Sequence, residues 1–266
     1  MLRPGAPLTP RPPCSREEAI INPARESGEA LVTPRVVLAF TRPDYHKLCR
    51  LARGTHPPRY LWDCAVHEGS WEGKSITVAG PVLGAPYAVM VTEKLIALGA
   101  QAVLALGWCG SLQEEIKVGA IIVPSRAVSG DGTSPHYLAA GVEPAPHPEF
   151  RRLLQTRLKA ADISPCLGPV WTTDAFYRET PEQVRHYRNL GVYGVDLEMA
   201  ALFALGQYRQ VAVAGLLVVS DELAGLTWQP GFKTQVFRQA RDAAARVALA
   251  AAGAWQVPGS EFKVPG

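Results

Sequence analysis

Short apolar runs alternate along this chain with stretches of helical character. The runs at residues 36–40, 75–79, 102–106, 121–123, 127–128 and 211–219 contain almost no polar positions, so each predicts a strand. Helical patterns occupy residues 45–52, 86–98, 148–161 and 232–252, and a further one follows residue 198 and ends near residue 208. Strands without polar alternation are buried on both faces, and strands interleaved with helices are typical of α/β folds. The pattern therefore predicts an α/β fold around a mostly parallel or mixed sheet.

The two ends of the chain lack this pattern. Residues 1–34 are rich in proline, arginine and glutamate and contain few apolar positions. We expect them to form a Pro-rich arm that is poorly ordered or packed on a neighbouring subunit. Residues 35–256 predict one domain, and residues 257–266 predict a loose C-terminal tail.

Composition narrows the class of protein. The 266 residues are 47% hydrophobic and 19% charged, as in ordinary globular proteins, and scattered basic residues with a net charge of +3 do not favour nucleic-acid binding. The five cysteines are odd in number and none is paired at metal-ligand spacing, which favours a reduced, cytoplasmic setting without a metal. No apolar run predicts a membrane span, and no apolar signal core follows Met1.

Polar or glycine-rich segments follow several predicted strands, at residues 41–42, 107–110 and 220–221, and the carboxylates Asp196 and Glu198 follow another. In open α/β sheets, ligands collect beyond the carboxyl ends of the strands. A carboxylate at the start of a helix accepts hydrogen bonds either from free N–H groups, as a cap, or from a ligand such as the paired hydroxyls of a sugar. These residues alone leave both roles open.

Four segments, in order along the chain, carry a family resemblance. They are ALGWCGS at 105–111 with VGAIIV at 118–123, DGTSPHY at 131–137, TTDAFY at 172–177 and GVDLEMA at 194–200. From about residue 36 to residue 252 the chain resembles the nucleoside phosphorylase superfamily. The resemblance implies a three-layer α/β/α sandwich with a mixed, partly barrel-like central sheet. It also implies a homo-oligomer, either a dimer or a trimer of dimers, with active sites near the subunit contacts.

The resemblance implies a ribose site at the start of one helix. Glu198 matches the carboxylate that accepts hydrogen bonds from the 2′ and 3′ hydroxyls, and such bonds strengthen as the sugar gains positive charge. Leu197 stands where the family usually has methionine, and it would pack against the ribose. For Asp196 we favour capping or structural hydrogen bonding.

The resemblance also implies a base pocket with a general acid. Phe176 would stack on the base, and Cys109, Gly110 and Val195 would line the pocket. Asp221 matches the acid that protonates a purine at N7, a role that needs a carboxyl protonated near neutral pH. The alternatives are ordinary core for the four pocket residues and a strand-end cap for Asp221. We expect Cys109 to be a wall residue and not a nucleophile, because no histidine lies beside it in the pattern.

The segments that bind the attacking phosphate in the family differ in this chain from the family pattern. Here these segments contain Thr41, Arg42, Asp44, Gly107 and Trp108, which we predict to form a phosphate or water site. The three arginines that bind phosphate in the family are absent, and two of their places hold Trp62 and Ala105. A phosphate dianion needs several arginines together, and the candidates to supply them are Arg42, Arg59 and Arg126.

Loss of those arginines raises hydrolysis as a second possibility. The superfamily also contains nucleosidases, which hold a water with a carboxylate in the loop after the first strand, and Asp44 falls near that place. Asp44 is either this water-orienting group or the N-cap of the following helix.

These features predict an enzyme that cleaves the N-glycosidic bond of a nucleoside. Asp221 favours a purine, whereas the loop at 131–137 resembles uridine phosphorylase. Phosphorolysis is the family default, hydrolysis is what the missing arginines suggest, and a nucleoside-binding protein without catalysis is the third reading. We expect no metal and no organic cofactor; phosphate, if it is used, is a co-substrate.

Overall fold

The structure is a computed structural model that describes residues 19–54 and 57–257. The first eighteen residues of the predicted arm and residues 258–266 of the predicted tail lie outside the described residues. The strands are β1 (Arg35–Ala39), β2 (Arg59–Leu61), β3 (Cys64–Trp71), β4 (Lys74–Gly80), β5 (Ala102–Ser111), β6 (Ile121–Gly130), β7 (Cys166–Thr173), β8 (Gly194–Asp196), β9 (Ala212–Glu222) and β10 (Gln229–Pro230). The helices are α1 (Arg42–Ala52), α2 (Ala85–Ala97), α3 (Pro148–Ala160), α4 (Pro181–Asn189), α5 (Met199–Arg209) and α6 (Gln235–Ala254). Short 3₁₀ turns lie at Ser134–His136 and Phe176–Arg178.

The strands form one mixed sheet in the order β10-β9-β6-β7-β8-β5-β1-β4-β3-β2. Strand β5 also pairs with β9, so β9, β6, β7, β8 and β5 close on themselves as a barrel of five strands. Strands β4, β1, β5 and β9 are mutually parallel neighbours, whereas β8 pairs antiparallel to β5. The predicted α/β fold with a partly barrel-like sheet is confirmed.

Helices cover both faces of the sheet. Leu104 and Leu106 of β5 face a core that α1, α3 and α6 complete, and the alternating residues Val103 and Ala105 face a core completed by α2 and α5. Successive side chains of a strand point to opposite faces, so each set reaches a different core. Both sets are buried because helices cover both faces. Helix α5 is buried along nearly its whole length, in keeping with its Ala/Leu-rich sequence. The architecture is therefore three layers, α/β/α.

Several boundaries differ from the sequence prediction. The glycine-rich segment at 107–110 is not a loop, because pairing with β8 and β9 continues β5 through it to Ser111. The two runs near residues 121 and 128 are one strand, β6, with a β-bulge between Pro124 and Ala127. Strand β9 likewise continues past residue 219 to Glu222. The pattern predicted none of β2, β3, β7 and α4.

The ends of the domain lie closer to the core than predicted. The described part of the arm packs on its own chain, where Lys94 Nζ on α2 donates to the Ala24 carbonyl and pairs with Glu29, both at 2.7 Å. Val32 is buried, and its N–H donates to the Leu98 carbonyl. Val257, assigned to the loose tail, is buried against the core on the α6 side.

Candidate active site

The carboxyl ends of β1, β4, β5 and β9 meet at one edge of the sheet, because these strands are parallel neighbours. Residues 107–110 lie in the second half of β5, Asp221 lies near the end of β9, and Thr41 and Asp44 follow β1. Strand β8 runs antiparallel to β5 and delivers the start of α5 to the same region. The edge therefore has the position expected of a ligand site in an α/β protein.

Glu198 lies at this edge, immediately before α5, and is 3% exposed. Its Oε1 accepts a hydrogen bond of 2.7 Å from the backbone N–H of Gly84, in the turn between β4 and α2. A backbone hydrogen bond from Leu197 also acts on this carboxyl and, like the one from Gly84, lowers its pKa. Burial and the neighbouring Asp196 carboxyl raise the pKa of Glu198 to about 8. Backbone N–H groups thus hold the Glu198 carboxyl in place at this edge of the sheet.

Asp196 takes the structural role that the sequence favoured. Its Oδ1 accepts from Thr172 Oγ1 at 2.5 Å, and its Oδ2 accepts from the Met199 backbone N–H, in the first turn of α5, at 2.8 Å. Burial raises the pKa of Asp196 to about 7, against these hydrogen bonds. Asp196 therefore caps α5, and Glu198 does not have to. Leu197, which stands between Asp196 and Glu198 in the sequence, is half-buried.

Asp221 lies near the end of β9 and is 3% exposed. Its Oδ1 accepts from Ser220 Oγ at 2.6 Å, and its Oδ2 accepts from the indole N–H of Trp228 at 3.0 Å. The short pairing of β10 with β9 holds the segment that carries Trp228 beside this carboxyl. Burial raises the pKa of Asp221, and these two hydrogen bonds oppose the rise. The direction of the net shift is the one that a general acid needs.

Strand register brings together Gly110 and Val195, two of the predicted base-pocket residues, beside Asp221. Gly110 pairs with Val195 across β5 and β8, and with Asp221 across β5 and β9. A Cβ added at Gly110 would lie 2.9 Å from Leu223 Cδ1 and 3.2 Å from both Asp221 Oδ2 and Val195 Cγ1. Glycine at this position therefore lets the Asp221 carboxyl approach the β5 backbone closely.

Cys109 and Phe176, the other two predicted pocket residues, differ in burial. Cys109 is buried, and burial together with the Asp196 and Asp221 carboxyls raises the pKa of its thiol well above the usual value. Such a thiol stays neutral, which fits a wall residue and not a nucleophile. Phe176 is 40% exposed on its 3₁₀ turn and packs edge-on against Tyr177, with ring centroids 5.0 Å apart. Its ring is accessible for stacking.

Two residues that the sequence analysis did not single out interact with Asp221. Trp228 follows β9 in an irregular segment, and nothing in its local pattern indicated contact with Asp221. Glu179 comes shortly after Phe176, and burial and the charge of Asp221 raise its pKa to about 8. The one sequence feature that could have pointed to Glu179 is its position shortly after Phe176 and Tyr177.

The predicted nucleophile site contains a closed cluster of polar side chains. Asp44 Oδ1 accepts from Arg241 Nε at 2.8 Å and from Arg241 Nη2 at 2.6 Å. Asp44 Oδ2 accepts from Trp108 Nε1 at 2.6 Å and from Thr41 Oγ1 at 2.9 Å. The guanidinium of Arg241 also lies over the Trp108 ring, 4.8 Å from its centroid. We call these four residues the Asp44 cluster.

The other predicted residues of the nucleophile site lie outside this cluster. Arg42 is exposed at the start of α1. Arg59 donates to the carbonyls of Ala30 and Leu31, and Arg126 pairs with Glu143 at 2.6 Å. Of the three arginines proposed to replace the missing ones, none contacts Asp44 or Trp108 in the described structure; the arginine that does is Arg241.

Gly107 has a packing role. A Cβ there would fall 2.1 Å from Cδ2 of the Phe40 ring, so glycine admits that ring against β5.

The described residues contain no group of three or more His, Cys, Asp or Glu side chains able to hold a metal ion. No helix in that part of the chain is long and apolar enough to cross a membrane.

Comparison with known proteins agrees with this architecture. The family model of the phosphorylase superfamily matches residues 34–252. A DeoD-type purine nucleoside phosphorylase of Caldanaerobacter subterraneus is 34% identical over 158 residues, which cover 58% of this chain and 68% of the relative. A guanosine phosphorylase of Halorubrum lacusprofundi is 27% identical over 154 residues, which cover 58% of this chain and 64% of the relative. The aligned segment thus spans about two thirds of each relative.

Solved structures share the fold. A purine nucleoside phosphorylase of Toxoplasma gondii superposes with a TM-score of 0.78 at 22% identity, covering 84% of this chain and 91% of the other. A uridine phosphorylase of Vibrio fischeri gives 0.74 at 24% identity, covering 83% and 90%. Purine and pyrimidine enzymes thus match alike, and at these identities the likeness concerns the fold alone. Since the family model covers most of the domain, the chain belongs to the phosphorylase superfamily.

Proposed function

We propose that this protein is an enzyme that cleaves the N-glycosidic bond of a nucleoside, with a purine base favoured. The observation that carries the proposal is the pairing of Gly110 with both Val195 and Asp221. The buried Asp221 carboxyl lies against the β5 backbone there, beside β8, the strand that leads to Glu198 and α5. A sugar-binding carboxyl and a base-protonating carboxyl are the two groups that this reaction needs. The relatives named as nucleoside phosphorylases support the same activity.

The reaction breaks the bond between C1′ of the sugar and N9 of the purine. The bonding electrons leave with the base, and Asp221 gives its proton to N7, so that the base departs neutral. Glu198 accepts hydrogen bonds from the 2′ and 3′ hydroxyls, and its negative charge stabilises the cationic sugar. The nucleophile then adds to C1′. Hydroxyl donors at Glu198 favour its ionised form, against the burial that raises its pKa.

The purine preference rests on Asp221 and its surroundings. N7 exists in purines and not in pyrimidines, so a protonated Asp221 has a matching acceptor only in a purine. Phe176 offers an accessible ring for stacking, but a ring stacks on either class of base. A preference for pyrimidine substrates would remove the assigned role of Asp221.

Phosphate is the first candidate for the nucleophile, because the relatives are named phosphorylases. Water is the second candidate, and one observation favours it: the donors of the Asp44 cluster already hold a carboxylate. Asp44 itself is a poor choice to orient the water. Its two oxygens accept four hydrogen bonds from the protein, which uses the four lone-pair positions that a carboxylate offers.

Release of free base from purine and pyrimidine nucleosides, with and without phosphate, tests the proposal. Phosphate-dependent release with a sugar 1-phosphate product identifies a phosphorylase, and equal release with free sugar identifies a hydrolase. Saturable binding of nucleosides without release of base from any of them would refute both and leave a binding protein.

We further propose that the enzyme is a homo-oligomer. A groove of about 1210 Å³, lined in part by Tyr60, Trp62, Met90 and Tyr208, lies on the described surface. These residues are 65%, 55%, 41% and 41% exposed. Large apolar side chains exposed together on one surface are typical of a subunit contact. Light scattering on the purified full chain measures the assembly; a monomer at micromolar concentration would refute this part.

A further inference from the structure

The Asp44 cluster is built as an anion site. Four hydrogen bonds from Arg241, Trp108 and Thr41 converge on one carboxylate, at distances of 2.6 to 2.9 Å. A guanidinium, an indole N–H and a hydroxyl are the donors that proteins use for carboxylates and phosphates. The Asp44 side chain is 3% exposed and that of Arg241 is 17% exposed, so the charges are partly shielded from water. The occupant of the site is a side chain of the protein itself.

The cluster is held together from several directions. Arg241 comes from α6, 197 positions after Asp44, and lies over the rings of Trp108 and Phe237 at 4.8 and 5.6 Å. Trp108 packs edge-on against Phe237, with centroids 5.1 Å apart. This aromatic packing fixes the guanidinium and the indole N–H, so both donors should keep their places if the carboxylate is removed.

The cluster lies at the sheet edge that carries the proposed active site. Thr41 follows β1, and Gly84, the partner of Glu198, follows the neighbouring parallel strand β4. Trp108 is the residue before Cys109 on β5. A row of aromatic rings also leads from Trp108 toward Asp221. The ring centroids of Trp108 and Phe232 are 5.9 Å apart, and those of Phe232 and Trp228, whose indole N–H contacts Asp221, are 6.2 Å apart.

The geometry points to Asp44 as the residue that excludes free phosphate from this anion site and so selects the nucleophile. This inference rests on the proposed glycosidic cleavage and takes water, the second candidate named above, as the nucleophile of the unmodified chain. The carboxylate is tethered next to its donors, so it competes as an intramolecular ligand against phosphate from solution. Phosphate could enter only by displacing Asp44, which would leave a buried carboxylate without its partners. With Asp44 in place the cluster has no net charge, and the phosphate-independent reaction with water is the one it permits.

Removal of the Asp44 carboxylate is therefore expected to create a phosphate site. We would titrate the full chain with inorganic phosphate at constant ionic strength, by calorimetry and thermal unfolding, with no nucleoside present. Asp44→Ala should bind phosphate at least about tenfold more tightly than the unmodified chain, and this gain should vanish in the double variant Asp44→Ala/Arg241→Met. Asp242→Ala is the matched control, because it removes a carboxylate from an exposed α1–α6 ion pair with Lys47 at 2.6 Å.

Two results of this titration would overturn the inference. One is phosphate binding by the unmodified chain as tight as that of Asp44→Ala, which would mean that the carboxylate does not compete. The other is an undiminished gain in the double variant, which would place the phosphate away from Arg241. If Asp44→Ala does not fold, Asp44→Asn keeps the side-chain volume without the charge, and the same titration applies to it.

A second readout connects the site to the reaction. In the unmodified chain the rate of base release should not depend on phosphate, and in Asp44→Ala it should rise with phosphate to saturation. Phosphate dependence in the unmodified chain that saturates and is lost in Arg241→Met would overturn the inference. The titration without nucleoside stands independently of this assay, so absence of any base release would count against the proposed function and not against the anion site.

Discussion

Replacement of Asp221 by asparagine tests the general acid with little change of shape. Asparagine can still accept the hydrogen bond from Ser220 Oγ, which is 2.6 Å from Asp221 Oδ1. Its NH₂ group then meets the Trp228 indole N–H, 3.0 Å from Oδ2, and both are donors. Because Trp228 is 53% exposed, its N–H can turn to water. The expected cost is one hydrogen bond, about 1 kcal/mol, or about 2–4 °C in melting temperature.

The effect on rate should be much larger than this effect on stability. A positioned general acid contributes about 10²–10⁴-fold, which is about 2.7–5.5 kcal/mol of activation free energy. We expect kcat of Asp221→Asn to fall by that factor for an ordinary purine ribonucleoside. An N7-methylated purine nucleoside already carries the positive charge that the acid would supply, so its rate should fall by less than about tenfold.

The assay compares both substrates across pH, with Asp242→Asn, an exposed carboxyl on α6, as the control variant. Asp221 acts when protonated, and burial raises its pKa, so kcat of the unmodified enzyme should decline as pH rises through that pKa. The N7-methylated substrate should lack this decline. Equal losses on the two substrates in Asp221→Asn, or a loss below tenfold on the ordinary purine, would refute the acid assignment.

Three further predictions concern the carboxyls and Trp228. Glu198→Gln should lower kcat/KM at least about tenfold for a ribonucleoside and little for its 2′,3′-dideoxy analogue, because only the former offers hydroxyls; equal losses would contradict the ribose role. Burial raises the pKa of Glu198 from 4.5 in the unfolded chain to about 8 in the folded protein, and that of Asp196 from 3.8 to about 7. The contribution of these two carboxyls to the free energy of unfolding is therefore complete below the unfolded pKa values and is lost as pH rises through the folded pKa values. Melting temperatures should therefore decrease over that window, less steeply in Glu198→Gln, and an increase would contradict the raised values. Trp228→Phe removes a hydrogen bond that lowers the pKa of Asp221, so the alkaline limb of kcat should move to higher pH; an unmoved limb would exclude that coupling.

The class of fold was predictable because the central strands are continuous apolar runs. Strand β1 is buried at four of its five positions, and such a run has few other interpretations. Strand β3 was not predicted, since its second half is polar and only half-buried. Helix α4 did carry a local signal: Thr180 and Gln183 form a capping box, with Pro181 at the first helical position.

The extent of β5 could not be predicted from its own residues. Glycines at 107 and 110 are typical of a loop, but pairing with β9 on one side and β8 on the other continues the strand through them. Each glycine has a spatial reason that only the folded chain provides: one admits the Phe40 ring, and the other admits the Asp221 carboxyl. Glu198 and Asp221 were easier to single out from the sequence, because they lie where predicted strands end.

The nucleophile half shows why the absence of a motif residue has to be interpreted in three dimensions. The sequence lacks the family's phosphate arginines, yet the folded chain places an arginine beside Trp108 all the same, from a helix near the other end of the chain. No local pattern could indicate this, because Arg241 is one of several arginines in an Ala/Arg-rich helix. The positive charge is present, but the chain supplies Asp44 to neutralise it. Charge balance at the site is therefore decided by one long-range ion pair, and the removal of a single carboxylate should reverse it.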